Sequence, residues 1–277
     1  MTFIFTPNFI DMSNPNTKIK YNFYTSAFIR LLVFFISILL ITHCLSIYLL
    51  IEFPNAKDDG SFYGKLIQLF NFDIEANLPT FFSSLLLLLN GLLLSFIAYT
   101  HRKTKTKYLP WVGMAFIFFF LSLDEMITIH EHLIQPTRDL FGTSGYLYYA
   151  WIIPYGILAI LLGIVYSRFL LRLPKRVLLL FILAAVVFLS GAIGMESISA
   201  MQHDQYGMDN IVYHMMYTVE ELLEMSGSTI FCFALLTYIG ITFKSFSLKF
   251  QQTPEIKSTP KVISTPRPVY PQSLIEA

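Results

Sequence analysis

The chain has 277 residues, of which 55% are hydrophobic, 16% aromatic and only 13% charged. A soluble domain carries about 25% charged residues, so a water-soluble globule, a disordered chain and a nucleic-acid-binding surface are poor descriptions of the whole. The net charge of +1 excludes a strongly basic or acidic surface as an overall character, and the two cysteines, Cys44 and Cys232, lie in apolar runs that define no disulfide framework.

A helix needs about 20 mostly apolar residues to cross a hydrocarbon core of about 30 Å. Six stretches qualify, at 28–51, 79–99, 108–129, 146–166, 177–197 and 217–243. The expected fold is therefore all-α, a multi-pass bundle of six transmembrane helices over 28–243. A segment at 1–27 precedes it and a tail at 244–277 follows. The first run is too long for a signal-peptide core and reads as a retained span. The 52–78 loop, with Asp58, Asp59, Asp73 and Glu75, is long enough for a small external cap. The tail carries Pro254, Pro260, Pro266, Pro268 and Pro271 among Lys, Ser and Thr and reads as disordered, as does the polar stretch 11–22.

Cationic residues set the orientation. Sixteen of the nineteen Lys and Arg fall before span one, between spans two and three, between four and five, or after span six. Lys57, Lys65 and Arg138 alone lie on the other side. Both termini are thus expected in the cytoplasm, and the membrane is expected to be a bacterial inner membrane. Acids sort the other way: only Asp11, Glu255 and Glu276 are cytoplasmic.

Ionisable side chains within a bilayer are expensive and mark function by default. Three strings hold them: Asp124, Glu125, His130, Glu131 and His132 at the end of span three; Glu196 and then His203 at the end of span five; His214, Glu220, Glu221 and Glu224 at the start of span six. Topology brings all three to one level in the outer third of the membrane, and span one adds His43. On a regular helix, positions seven apart share a face, which pairs His214 with Glu221, Asp124 with Glu131 and Glu125 with His132. His130 falls on another stripe, and the helix is expected to end between Glu196 and His203. Glu131, His132, His203 and Asp209 read equally well as solvated interfacial residues, and Glu125 could cap a packing network. That bland reading fits poorly for Glu220, Glu221 and Glu224, three acids within five residues, which would repel unless cations neutralise them.

A divalent metal (zinc, iron or manganese) resolves the imbalance, because carboxylates and imidazoles suit these ions and helix bundles gather them. The expected donors are Asp124, Glu125, His130, Glu131, Glu196, His214, Glu221 and Glu224. Glu221 and Glu224 form a Glu-x-x-Glu pair, but the Glu-x-x-His of di-iron bundles is missing. His-Glu-x-x-His, nucleophile elbows and phosphate-binding Gly loops are missing too.

The string Asp124, Glu125, four residues, His130, Glu131 resembles one in uncharacterised bacterial multi-span membrane proteins, together with Glu220-Glu221-x-x-Glu224. That resemblance implies no activity. A looser likeness to the seven-span ceramidase-type hydrolases, which hold zinc with His and Asp, fails on their His-x-x-x-His pair and seventh span. The leading expectation is a metal-dependent membrane enzyme, hydrolase or oxidoreductase, acting on a lipid-like substrate between Leu- and Phe-rich walls. The partners are then membrane lipids, with no nucleic acid. A cation- or proton-coupled transporter is the alternative, and a haem protein using His43, His130 and His214 is a third. A structural or sensory module with an acidic outer pocket completes the set.

Overall fold

The computed structural model describes residues 5–7, 21–57 and 60–243. The Pro-rich tail, the polar stretch 11–20 and the acids Asp58 and Asp59 lie outside them. Six helices are long and apolar enough to cross a membrane. These are α1 (Thr25–Glu52), α3 (Leu78–Lys103), α4 (Leu109–Ile127), α6 (Ile152–Leu170), the continuous run Lys175–Tyr206, and α9 (Ile211–Thr242). The run Lys175–Tyr206 comprises α7 (Lys175–Leu189), a π-helical segment (Ser190–Met195) and α8 (Glu196–Tyr206). Short helices α2 (Phe62–Phe70) and α5 (Ile134–Phe141) lie in loops. Two three-residue strands, β1 (Phe5–Pro7) and β2 (Tyr21–Phe23), pair antiparallel, so Tyr21 and Asn22 are extended rather than irregular. The protein is an all-helical, multi-pass membrane bundle.

Local chemistry explains where the helices start. Asn77 caps α3 by accepting from the Thr80 N–H at 3.2 Å, with Pro79 in the first turn. His101, Arg102 and Lys103 occupy the last turn of α3, where cations complement the helix dipole. Asn210 caps α9 in the same way, accepting from the Tyr213 N–H at 2.9 Å.

The boundaries differ from the apolar runs at instructive places. Span four begins at Ile152 rather than 146, because a 3₁₀ turn at Gly145–Leu147, opened by Gly145 at φ +61°, precedes it. Span five runs on to Tyr206, past the stop expected between Glu196 and His203. Span six starts six residues early, at Ile211, where the Asn210 cap fixes it.

Four buried apolar clusters hold the bundle, and two of them bracket the site. At the end carrying the cationic loops, Trp111, Leu94, Val177, Phe181 and Leu235 pack α3, α4, α7 and α9 together. Towards the other end, called outer from its paucity of cations, Leu39, Phe72, Tyr217 and Met225 join α1, α9 and the loop after α2. Buried polar contacts add specificity between helices. Asn90 Nδ2 donates to the Ser228 carbonyl at 3.0 Å, and Ser84 Oγ donates to the Ser122 carbonyl at 2.7 Å. Small residues permit the closest approach: a Cβ on Gly227 would lie 2.6 Å from the Phe188 backbone nitrogen, and one on Gly191 2.7 Å from the Glu220 carbonyl oxygen.

Candidate functional site: an outer carboxylate–histidine chamber

A cavity of about 920 Å³ opens between α4, α6, α7, α8 and α9. Its outer part is acidic and its inner part apolar. Asp124, Glu125, His130, Glu131, Glu196, Glu221 and Glu224 all line it, and among the described residues no Lys or Arg does. Seven of the eight donors expected from sequence therefore share one chamber. His214 is the exception: its Nδ1 meets the Tyr217 hydroxyl at 3.0 Å, and it sits within electrostatic reach of His43. Sharing a helical face with Glu221 does not bring it to the same point, since seven residues are about 10.5 Å of helix.

Span three solves a problem that a regular helix poses. Asp124, Glu125, His130 and Glu131 cannot all face one centre from an unbroken helix. The helix stops at Ile127, and Thr128 takes a left-handed conformation at φ 52°. The chain then turns back, and Asp124 fastens the turn. Its Oδ1 accepts from the His130 backbone N–H at 2.8 Å and contacts His130 Nδ1 at 3.3 Å. His132, expected to align with Glu125, instead contacts the Thr128 carbonyl at 2.8 Å through Nδ1, and it does not line the chamber. Burial works to discharge the His130 ring. The hydrogen bond and charge of Asp124, helped by Glu196 and Glu125, outweigh it and raise the ring's pKa.

The far wall is built by the π-helical segment, whose extra residue per turn is characteristic of functional sites in helices. It is followed at once by Glu196, whose Oε1 accepts from Trp151 Nε1 at 2.9 Å. Trp151 in turn packs on the His130 ring, with centroids 4.8 Å apart. Glu220 and Glu196 are within hydrogen-bonding reach of each other, and Ser199 Oγ donates to Glu220 Oε2 at 3.1 Å. Glu221 and Glu224 both interact electrostatically with Glu125, Glu75 and Glu196.

Three contributors were not among the expected donors. Glu220 lines the chamber beside Glu221 and Glu224, as a helical arc of about 100° allows. Asp73 and Glu75 enter from the external loop. Thr80 Oγ1 donates to Glu75 Oε2 at 3.2 Å, yet burial, with the charge of Glu131, pushes the Glu75 pKa up to about 7. An acidic external loop was the only sequence signal for it. At the rim, Tyr213 donates to Asp73 Oδ1 at 3.0 Å, the Tyr149 hydroxyl lies 3.0 Å from that of Tyr213, and His203 Nδ1 lies 2.8 Å from Tyr149. Since Tyr213 has one proton and spends it on Asp73, a continuous chain runs from His203 N–H through Tyr149 and Tyr213 to Asp73. His203 is thus joined to the rim, whereas Asp209 is exposed and stands apart from the chamber.

His43 is buried away from the chamber. Its Nδ1 accepts from the Phe72 N–H at 3.1 Å, its Nε2 lies 2.8 Å from Thr218 Oγ1, and its ring stacks on Phe72. Both ring nitrogens are committed to joining α1, the external loop and α9. Among the described residues, no group of three or more His, Cys, Asp or Glu converges closely enough to hold a metal ion as the side chains stand.

Fold and site together define a six-span helical membrane protein with an acidic chamber at one end. The model of a family described as a domain of unknown function (DUF8692) matches residues 21–239, and the chain belongs to that family. No curated protein and no solved structure matches it.

Proposed function

We propose that the chain is a metal-dependent membrane enzyme, a hydrolase or oxidoreductase, acting on a lipid-like substrate at the outer level of a bacterial inner membrane. The observation that carries this reading is the Asp124–His130 pair inside a chamber with eight further acids and, among the described residues, no Lys or Arg. A histidine whose Nδ1 is held by a carboxylate leaves Nε2 as a metal donor, an arrangement common around bound metals. Glu125, Glu196, Glu221 and Glu224 supply carboxylate oxygens from three separate helices. Their rotation into coordination is a side-chain movement on a fixed helical frame, and it is required, because the donors do not converge as they stand. Zinc, iron and manganese all suit this set. The bound ion would act as a Lewis acid or activate water or oxygen, and Glu75 or Glu220 would accept a proton.

A second reading, a proton- or cation-coupled carrier, is favoured by the same lack of a converged donor set. Inward of the acids the described lining is mostly apolar, with Phe181, Phe231 and Leu170, and Ser228 is among its few polar residues. The haem alternative loses His43, whose two ring nitrogens are already partnered. Elemental analysis with an optical spectrum tests all three. Stoichiometric zinc, manganese or non-haem iron that is lost in Glu221→Ala and kept in Asp209→Ala supports the enzyme. Absence of metal from the wild type after growth and purification with each ion refutes it, and a Soret band would restore haem.

A further inference from the structure

The apolar half of the chamber is open to the bilayer along α6. This helix touches the bundle at its two ends and stands off in between. At the inner end Tyr166 lies against Gly113 and Phe169 packs on Trp111, with ring centroids 5.0 Å apart. At the outer end Tyr155 and the preceding Trp151 pack round His130. Between them α6 makes only sparse contact with the other helices. Tyr155, Leu158, Ala159 and Leu162 form one stripe of α6 and line the cavity. Ala185 and Phe188 of α7 and Phe118 and Leu121 of α4 do so from the other sides.

The length of this groove is set by helix geometry. From Glu196 down to Phe181, and from Tyr155 down to Leu170, it spans fifteen residues, about 22 Å at 1.5 Å per residue. From Glu125 to Met114 it spans eleven, about 16 Å. One leaflet of a hydrocarbon core of about 30 Å is about 15 Å deep. At about 16–22 Å the slot, apolar below and acidic above, is deeper than one leaflet and long enough for one extended alkyl chain with its head at the carboxylates. Charge decides which head. Nine acids line the chamber with His130 and His203 and, among the described residues, no Lys or Arg. An anionic head finds no Lys or Arg to pair with there, whereas an amine finds carboxylates.

We propose that the groove between α4, α6 and α7 binds, by lateral entry from the membrane, a single-chain lipid whose head is neutral or carries an amine. This names the substrate class for the metal-enzyme reading, on which it rests for what happens to the head. The chain lies along the Ala159 and Ala185 walls, and only residues without bulk there leave room for it.

Equilibrium binding of radiolabelled hexadecylamine, hexadecanol and palmitate to the full-length protein in phosphatidylcholine nanodiscs tests the proposal. Saturable binding of the amine and the alcohol, with palmitate weaker by about tenfold or more, is expected because no Lys or Arg among the described lining residues pairs with a carboxylate head. Ala159→Phe and Ala185→Phe, on two different helices, each lose the chain by about tenfold or more, since overpacking fills the slot. Ile160→Phe, on the exposed face of α6, binds as the wild type does. Palmitate bound as tightly as the amine, or both alanine variants binding like the wild type while remaining monodisperse, overturns the proposal. Metal content measured on the same samples separates the two readings. Chain binding without metal refutes the metal enzyme and keeps the groove; metal without chain binding does the reverse.

Discussion

The Asp124 carboxylate holds His130, six residues on, twice, at the backbone N–H and at ring Nδ1, across the break that ends α4. One oxygen thereby closes the end of a membrane helix and fixes which ring nitrogen of a chamber histidine is spoken for. Hydrogen bonds to charged groups are worth about 1.5–3 kcal/mol. Asp124→Ala should therefore lower stability by about that amount. It should also return the His130 titration, followed by ring-proton NMR, to a lower pH. An unchanged His130 midpoint would show that Asp124 does not set it.

Thr128 makes the break possible. A β-branched residue at φ 52° is a steric outlier, and left-handed backbone costs an L-residue about 1–2 kcal/mol. Thr128→Gly should raise thermal stability by about 1 kcal/mol with the site intact. Thr128→Pro, which forces φ near −65°, should separate His130 from Asp124 and remove bound metal. Equal metal content in the two variants would mean that the break does not build the site.

Glu75 gives the chamber a pH signature. Its pKa, pushed up from 4.5 to about 7, means that the folded protein holds a proton that the unfolded chain releases. Stability should consequently fall as pH rises from about 4.5 to about 7, and Glu75→Gln should flatten that slope. Added zinc or manganese should oppose the fall by pairing the charged form. Thermal melts across this pH range would read each effect, and a wild-type slope identical to that of Glu75→Gln would remove Glu75 from the account.

Two glycines hold the acidic helices together. Gly227→Ala places a Cβ against Phe188 backbone atoms, and Gly191→Ala places one against the Glu220 carbonyl. Backbone cannot rotate away, so each should cost about 1–3 kcal/mol. Gly156→Ala, with open space round it, should cost nothing measurable by chemical denaturation in detergent. Equal losses at all three positions would refute the close-packing account.

Much of this protein was legible in its residues, because a bilayer imposes length and apolarity on every span and charge asymmetry on the loops. The six spans, and the gathering of the three acidic strings at one level, follow from those constraints. What periodicity could not give were the departures from regular helix. The left-handed Thr128, the π-helical Ser190–Met195 and the continuation of α8 past Glu196 are invisible in hydropathy, because each substitutes one backbone geometry for another within the same apolar composition. They decide that His130 turns inward and that His203 reaches the rim. Glu75 is the plainest case. Its loop has no period, so only packing of that loop over the bundle, stitched by His43 to Phe72 and by Tyr213 to Asp73, brings its carboxylate to the others. The sequence by itself determined where the acids stand along the membrane normal. The tertiary structure decided which of them face one another, because depth is set by residue number along a span and direction by breaks and contacts that residue number does not encode.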